Sequence, residues 1–167
     1  MDKEERFCGW VRIDDRLIHG QVTVGWRQHL RYREIWVVDE AVRAEPYLWD
    51  ALRLAAPGGV EVRVLGVEEA VGACGGNERS GRGMLVLLRE PEVAVALVEG
   101  GVSLGRVNVG NLGARPGSVR AIKNISLTES HVVALDALAE RGIEVFFQLA
   151  PEDARVPWRE VRKRVKG

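Results

Sequence analysis

Chemically reactive side chains are concentrated in one short stretch near the start of the chain. Between Asp14 and Gly20 the sequence places two carboxylates, an arginine, an imidazole and a glycine within seven residues. The imidazole of His19 can act as a nucleophile when neutral, because one ring nitrogen then carries a free electron pair. A nearby arginine can neutralise an anion, since a guanidinium binds two phosphate oxygens at once. One chemistry that this set of side chains could perform is phosphoryl transfer through a histidine.

Each neighbour of the histidine has a candidate role in that chemistry. Arg16 is spaced to neutralise the oxygens of a transferring phosphoryl group, whose stabilisation is mainly electrostatic. Asp14 or Asp15 could accept the other ring N–H and so fix which nitrogen attacks. Gly20 would let the backbone approach a phosphate with no Cβ in the way, and Gln21 could donate from the first helical turn.

The same residues also have ordinary structural explanations. A histidine at a strand-to-helix turn is often solvated or capping, aspartates form turns, and a single arginine is commonly a surface charge. The stretch contains no P-loop, no GxGxxG dinucleotide motif and no GxSxG elbow. Residue types and spacing therefore indicate a candidate anion site and leave its use open.

The elements that must position this stretch alternate between β-branched runs and helical runs. The pattern predicts seven strands: Gly9–Asp14, Glu34–Asp39, Val60–Leu65, Met84–Leu88, Leu104–Val109, Ala121–Leu127 and Ile143–Leu149. It predicts helices over Gln21 to Arg31, Glu45 to Ala56, Val67 to Ala73, Pro91 to Glu99 and Thr128 to Arg141, and a last one from Pro157.

Strand–helix alternation at this spacing predicts an α/β fold. We expect a single domain over residues 1–167, with a mostly parallel central sheet of about seven strands and helices on both faces. In such sheets ligands bind beyond the carboxyl ends of the strands, so the turn that holds His19 is a favoured position.

Composition narrows the classes of function. The chain has 24 Lys and Arg residues and 24 Asp and Glu residues, so its formal net charge is zero. This balance argues against a nucleic-acid binder that works by neutralising phosphates. No apolar run reaches the roughly 18 residues of a membrane span, and the charged start has no apolar signal-peptide segment behind it. We therefore predict a cytoplasmic protein with no metal ion, no cofactor and no nucleic-acid partner.

The segment from Arg12 to Val22 resembles the signature of the enzyme IIB subunit of the mannose/fructose/sorbose family of the bacterial sugar phosphotransferase system (PTS). Other segments that resemble family features follow in order along nearly the whole chain: Ile35–Glu40, Ala55–Val60, Val67–Ala70, Leu97–Val102, Val107–Gly110 and Arg141–Val145. The resemblance implies a phosphotransferase whose seven-stranded, mostly parallel sheet lies between helices.

The resemblance also implies residue roles and partners. His19 corresponds to the family's phosphorylated histidine, which carries the group on Nδ1, and Arg16 to an arginine associated with onward transfer. The donor would be a phosphohistidine on a IIA protein, and the acceptor a sugar bound by the membrane subunits IIC and IID. The chain would associate peripherally with those subunits. Strand five would lie beside strand one and bring Asn108, Gly110 and Asn111 toward the histidine, the first two as candidate phosphate-binding residues.

One departure from the family pattern keeps alternatives open. The family usually has two glycines after Asn-Val, whereas this chain has Gly110-Asn111-Leu112. The change could affect which partner docks, or whether a sugar is the final acceptor. A regulatory phosphoprotein of an incomplete phosphotransferase system is the alternative function, and a passive anion-binding domain is the third. The sugar and the oligomeric state, a homo-oligomer included, stay open.

Overall fold

Nine strands are present in the computed structural model, which describes residues 9–20, 22–74 and 83–165. They are β1 Trp10–Asp14, β2 Glu34–Val38, β3 Glu61–Leu65, β4 Met84–Leu88, β5 Arg106–Asn111, β6 Val119–Ile122, β7 Ile125–Leu127, β8 Glu144–Phe147 and β9 Val156–Pro157. β1 to β4 and β8 lie inside the predicted strand segments. β5 begins and ends two residues later than predicted.

The helical elements begin with a π-helical stretch, Val22–Trp26, that continues directly into the first α-helix. The α-helices are α1 Arg27–Leu30, α2 Glu40–Arg43, α3 Pro46–Ala55, α4 Val67–Cys74, α5 Pro91–Glu99, α6 Glu129–Glu140 and α7 Trp158–Arg162. The short α2 was not predicted, because four residues are too few to show a helical period. None of the helices in the described ranges has the length and apolar character needed to cross a membrane.

The main sheet has seven strands in the order β3-β2-β4-β1-β5-β8-β9. Neighbouring strands are parallel except for β8 and β9, which are antiparallel. β1 lies between β4 and β5, and its register pairs Arg12 with Asn108 and Asp14 with Asn111. The structure therefore confirms the predicted α/β fold, and also the expected place of the fifth strand beside the first.

Apolar side chains cover both faces of the sheet, each under its own layer of helices. One cluster packs Val11 and Ile13 against side chains of α4 to α7, and the other packs β2 and β4 against the π-helical stretch, α2 and α3. Successive residues of a strand point to opposite faces. Arg12 and Asp14 are therefore carried into the interior on the face opposite Val11 and Ile13.

The prediction of a sixth sheet strand over Ala121–Leu127 was wrong. β6 and β7 form a separate antiparallel hairpin, turned at Lys123 and Asn124, and Asn124 has a left-handed backbone with φ 65°. Asparagine tolerates that conformation, so a turn signal interrupts the apolar run. The seventh strand of the main sheet is instead β9, whose two residues are too few to show an alternating pattern.

Candidate functional site

The loop after β1 presents His19 at the carboxyl edge of the sheet. It starts with a tight turn in which Leu17 N donates to Asp14 O at 2.9 Å, and Leu17 has a left-handed φ of 55°. The side chains of Leu17 and Ile18 are buried in the apolar cluster under the first helices. Because these two residues hold the loop down, Arg16 and His19 face outward, with side chains 41% and 18% exposed.

Asp14 contacts three side chains at once from a fully buried position. Its Oδ1 accepts from Arg16 N at 3.2 Å and from Arg16 Nε at 3.0 Å. Its Oδ2 accepts from Arg16 Nη2 and Arg12 Nη2, each at 3.1 Å, and lies 3.1 Å from His19 Nε2. The two oxygens therefore share five contacts, four of them with arginine donors.

These contacts decide the charge of Asp14. Burial by itself raises the pKa of the Asp14 carboxyl, but hydrogen bonds from His19 and Arg16 and the positive charge of Arg12 outweigh it. The pKa of Asp14 consequently lies well below its ordinary value. The carboxylate is therefore ionised at neutral pH and can only accept hydrogen bonds.

The ionised Asp14 determines which ring nitrogen of His19 is free. Because the carboxylate only accepts, the 3.1 Å contact requires a proton on Nε2. In the neutral ring the proton-free nitrogen is then Nδ1, to which none of the described residues donates a hydrogen bond. A neutral imidazole with a free ring nitrogen is the nucleophilic form. Nδ1 is also the atom that the family resemblance implies.

The second carboxylate, Asp15, lies against a different part of the chain. Its Oδ1 accepts from Asn111 Nδ2 at 2.6 Å, and its Oδ2 accepts from Gly113 N at 2.7 Å. Arg115 Nη2 is 3.9 Å from the same Oδ2. Of the two aspartates that the sequence left open as partners of the histidine, the structure places Asp14 against the ring, while Asp15 joins the loop to the segment after β5.

The two candidates from β5 lie beneath the site rather than at its surface. Asn108 is fully buried, with Oδ1 accepting from Arg12 at 2.5 Å and Nδ2 donating to Gln148 O at 3.1 Å. A Cβ on Gly110 would lie 2.0 Å from Arg12 Cζ, so this glycine makes room for the guanidinium. Both residues contact or make room for Arg12, and their predicted contact with a phosphate stays a prediction.

The last two candidates, Gly20 and Gln21, directly follow His19 in the sequence. Gly20 is exposed, and a Cβ built on it would meet nothing within 4 Å. Open space of this kind is compatible with a phosphate or a partner backbone approaching the loop. Gln21 lies outside the described residues, so its predicted role remains a prediction.

Sequence reasoning missed Arg12, the buried residue that Asp14, Asn108 and Gly110 surround. Its side chain is fully buried, and burial lowers its pKa while the charge of Asp14 acts in the opposite direction. One signal was available in the sequence: a charged residue stands between Val11 and Ile13, inside an otherwise apolar strand, two positions before an aspartate. Charged residues are seldom fully buried unless they are paired.

A second cluster of titratable groups lies at the start of α5 and α6. Glu90, Glu92 and His131 offer ligand atoms within 4.8 Å of one another, which is a spacing that could hold a metal ion. However, Thr128 N donates to His131 Nδ1 at 3.3 Å, so the neutral ring carries its proton on Nε2 and donates it to Glu90 at 2.8 Å. Arg115 also binds Glu90, at 2.8 Å. This hydrogen bonding favours a structural network over a metal centre.

The chain is similar to proteins of one transport system over most of its length. The family described as "PTS system sorbose subfamily IIB component" matches residues 8–166. The PTS system mannose-specific EIIAB component of Escherichia coli (strain K12) is 33% identical over 148 residues, which are 89% of this chain and 46% of that protein. The PTS system sorbose-specific EIIB component of Klebsiella pneumoniae is 30% identical over 146 residues, which are 87% of this chain and 89% of that protein.

Solved structures extend the same similarity. The crystal structure of the IIBSor domain of the sorbose permease from Klebsiella pneumoniae has a TM-score of 0.88 at 28% identity, covering 96% of this chain and 98% of that one. The chain spans about half the length of the mannose-specific EIIAB relative, at 46%. From the family match and the sorbose-specific relative together, the chain belongs to the IIB components of the mannose/fructose/sorbose family of the sugar phosphotransferase system.

Proposed function

We propose that His19 accepts a phosphoryl group from a phosphohistidine on a IIA protein and passes it to a sugar held by membrane IIC and IID subunits. One observation carries this proposal: buried, ionised Asp14 lies 3.1 Å from Nε2 of His19 and leaves Nδ1 as the nucleophile. The sugar belongs to the class that the names of the relatives print, which includes mannose and sorbose.

The transfer of the phosphoryl group from the donor histidine to His19 needs no other reactant. The electron pair on Nδ1 of His19 forms a new N–P bond while the N–P bond of the donor histidine breaks and returns its electron pair to that ring. Because Nδ1 carries no proton beforehand, no proton has to leave it. The phosphorylated ring keeps its proton on Nε2, which still donates a hydrogen bond to Asp14. The product remains a high-energy N–P bond and can be passed to a sugar hydroxyl.

Arg16 supplies the positive charge that such a transfer needs. It already binds Asp14 through Nε and Nη2, and its side chain is 41% exposed beside the histidine. We propose that its remaining donors bind phosphoryl oxygens, since stabilisation of phosphoryl transfer is mainly electrostatic. Gly20 leaves open space for the group, and Gln21 is the nearest further donor in sequence.

The proposed relay, in which the phosphoryl group passes from IIA to His19 and then to a sugar, also implies the cellular location of the protein. A IIB component must meet a IIA protein on one side of the transfer and membrane subunits on the other. We therefore propose a cytoplasmic protein that associates peripherally with IIC and IID.

Labelling with a phosphorylated donor tests the proposal. We expect incubation with phosphorylated IIA protein to give an adduct that is acid-labile and base-stable, as a phosphohistidine should be, and His19→Ala to abolish it. His29→Ala is the matched control, because His29 is exposed and lies in the helical segment after the site. An unlabelled wild type, or equal labelling of His19→Ala, would remove His19 from the relay.

A further inference from the structure

Arg12 lies directly beneath the site on β1 and shares a strand face with Asp14. Four hydrogen bonds hold its guanidinium. Nη1 donates to Asn108 Oδ1 at 2.5 Å and to Gln148 O at 3.0 Å, while Nη2 donates to Leu149 O at 3.0 Å and to Asp14 Oδ2 at 3.1 Å. Three of the four acceptors belong to β5 or to the two residues that follow β8, so the guanidinium joins β1 to two other parts of the chain.

The space around Arg12 is shaped for a guanidinium. Its Cζ lies 5.1 Å from the ring centroid of Trp26, whose Nε1 donates to Leu149 O at 3.0 Å. On the other side Gly110 leaves out the Cβ that would lie 2.0 Å from Cζ. One hydrogen-bond donor of Arg12 is left unpaired, because its buried Nε has no partner among the described residues. A lysine could not reproduce this forked arrangement, because it offers a single point charge.

Arg12 and Arg16 hold Asp14 in different ways. Arg16 is 41% exposed and binds Asp14 from the surface, whereas Arg12 is fully buried and also donates to two backbone carbonyls. Arg12 binds Oδ2 of Asp14, the same oxygen that contacts His19 Nε2, so this oxygen keeps a cationic partner that does not depend on Arg16.

We propose that Arg12 is a positioning residue: it fixes the Asp14 carboxylate in the orientation that keeps the proton of His19 on Nε2 and leaves Nδ1 free. The inference rests on the proposed function of His19 and adds the residue that prepares the histidine for each turnover. Asn108 and Gly110 then serve the site indirectly, by holding Arg12 and by making room for it.

The tautomer of His19, measured by 15N NMR of the imidazole, tests this role separately from activity. We expect wild-type protein to show predominantly the Nε2–H form, and folded Arg12→Lys to show both forms. Phosphorylation of Arg12→Lys by phosphorylated IIA protein should be about 10- to 100-fold slower, which is the loss typical when a partner that orients a metal-ligating histidine is removed.

Two further variants complete the experiment. Asn108→Ala keeps Arg12 but removes its acceptor at 2.5 Å and the donor to Gln148 O. It should shift the tautomer in the same direction, and it tests the idea if Arg12→Lys does not fold. Arg63→Lys is the matched control, because Arg63 also stacks on a tryptophan, Trp36, at 5.0 Å, and pairs with a glutamate far from the site. It should change neither the tautomer nor the rate.

The outcomes are distinguishable. Folded Arg12→Lys or Asn108→Ala with the wild-type tautomer would overturn the positioning role, even if phosphorylation slows. If wild-type protein takes no phosphate from the IIA donor, the proposed function fails, while the tautomer measurement still decides the role of Arg12.

Discussion

At the scale of residues, the reactivity of His19 depends on Asp14, because this carboxylate determines which ring nitrogen carries the proton. A free neutral imidazole exchanges its proton between both ring nitrogens. A hydrogen bond to a charged acceptor stabilises one form by about 1.5–3 kcal/mol, which favours that tautomer by roughly ten- to a hundredfold. The 3.1 Å contact between Nε2 and ionised Asp14 therefore suffices to keep most of the nucleophile in the form with Nδ1 free.

Replacing Arg16 should separate the two halves of the relay. In Arg16→Ala, Asp14 still contacts Arg12 and His19, so Nδ1 stays free and the protein should still accept phosphate. Onward transfer to sugar should slow on the order of 100-fold or more, because the charge that stabilises the departing phosphoryl group is missing. Single-turnover assays of each half-reaction measure this difference.

Arg43→Ala is the control for that prediction, since Arg43 is a comparably exposed arginine paired with Glu69. Sugar phosphorylation at the normal rate by Arg16→Ala would exclude Arg16 from the transfer step.

At the scale of elements, β1 positions the buried residues of the site, and the loop after it positions the exposed ones. The strand, flanked by β4 and β5, carries Arg12 and Asp14 into the interior. The loop must then reverse direction and expose two polar residues within five positions. It does so because Leu17 accepts a left-handed backbone and buries its side chain next to Ile18.

Truncating the buried side chain of Leu17 should slow phosphorylation of His19 more than an equal loss of stability elsewhere in the protein. Leu17→Ala removes a buried side chain and should lower the free energy of unfolding by about 2–5 kcal/mol. Because the loop would lose its attachment to the core, phosphorylation of His19 should also slow in the fraction that remains folded. Denaturant unfolding and donor labelling measure the two effects.

Leu135→Ala provides a matched loss, since Leu135 is fully buried in α6 under the opposite face of the sheet. If both variants label at the same rate at equal folded fraction, the loop does not depend on Leu17.

At the scale of the whole molecule, the buried charges of the site couple stability to pH. The pKa of Asp14 in the folded protein lies below its unfolded value, which is about 3.9 for an aspartate. A group with a lowered folded pKa contributes stability that is fully present above the unfolded pKa. That contribution is lost as pH falls from the unfolded value toward the folded one.

Acid unfolding of Asp14→Asn should therefore differ in shape from that of the wild type. The variant should be less stable at pH 7 by about 3–5 kcal/mol, because it leaves buried Arg12 without its counter-charge. Between about pH 4 and 2 the difference from the wild type should shrink, because the wild type loses the Asp14 contribution there. Denaturant titrations across this range measure it; a constant difference would show that Asp14 does not carry the acid dependence.

The sequence by itself determined the alternation of strands and helices, and the segment that holds the reactive residues. Strand periodicity and apolar runs located β1 to β4 and β8 within the predicted segments, because those signals are local. Elements too short to show a period, such as α2 and β9, escaped it, and so did the turn at Asn124, where a single residue interrupts an apolar run.

Only the tertiary structure decided which aspartate serves His19 and what lies beneath it. Asp14 and Asp15 are adjacent in sequence, yet one is the last residue of β1 and points inward, while the other binds the end of β5 and the residues after it. Three of the four hydrogen-bond acceptors of Arg12 are 96, 136 and 137 positions away along the chain. Contacts of that range are set by the order of strands in the sheet, and no local pattern records that order.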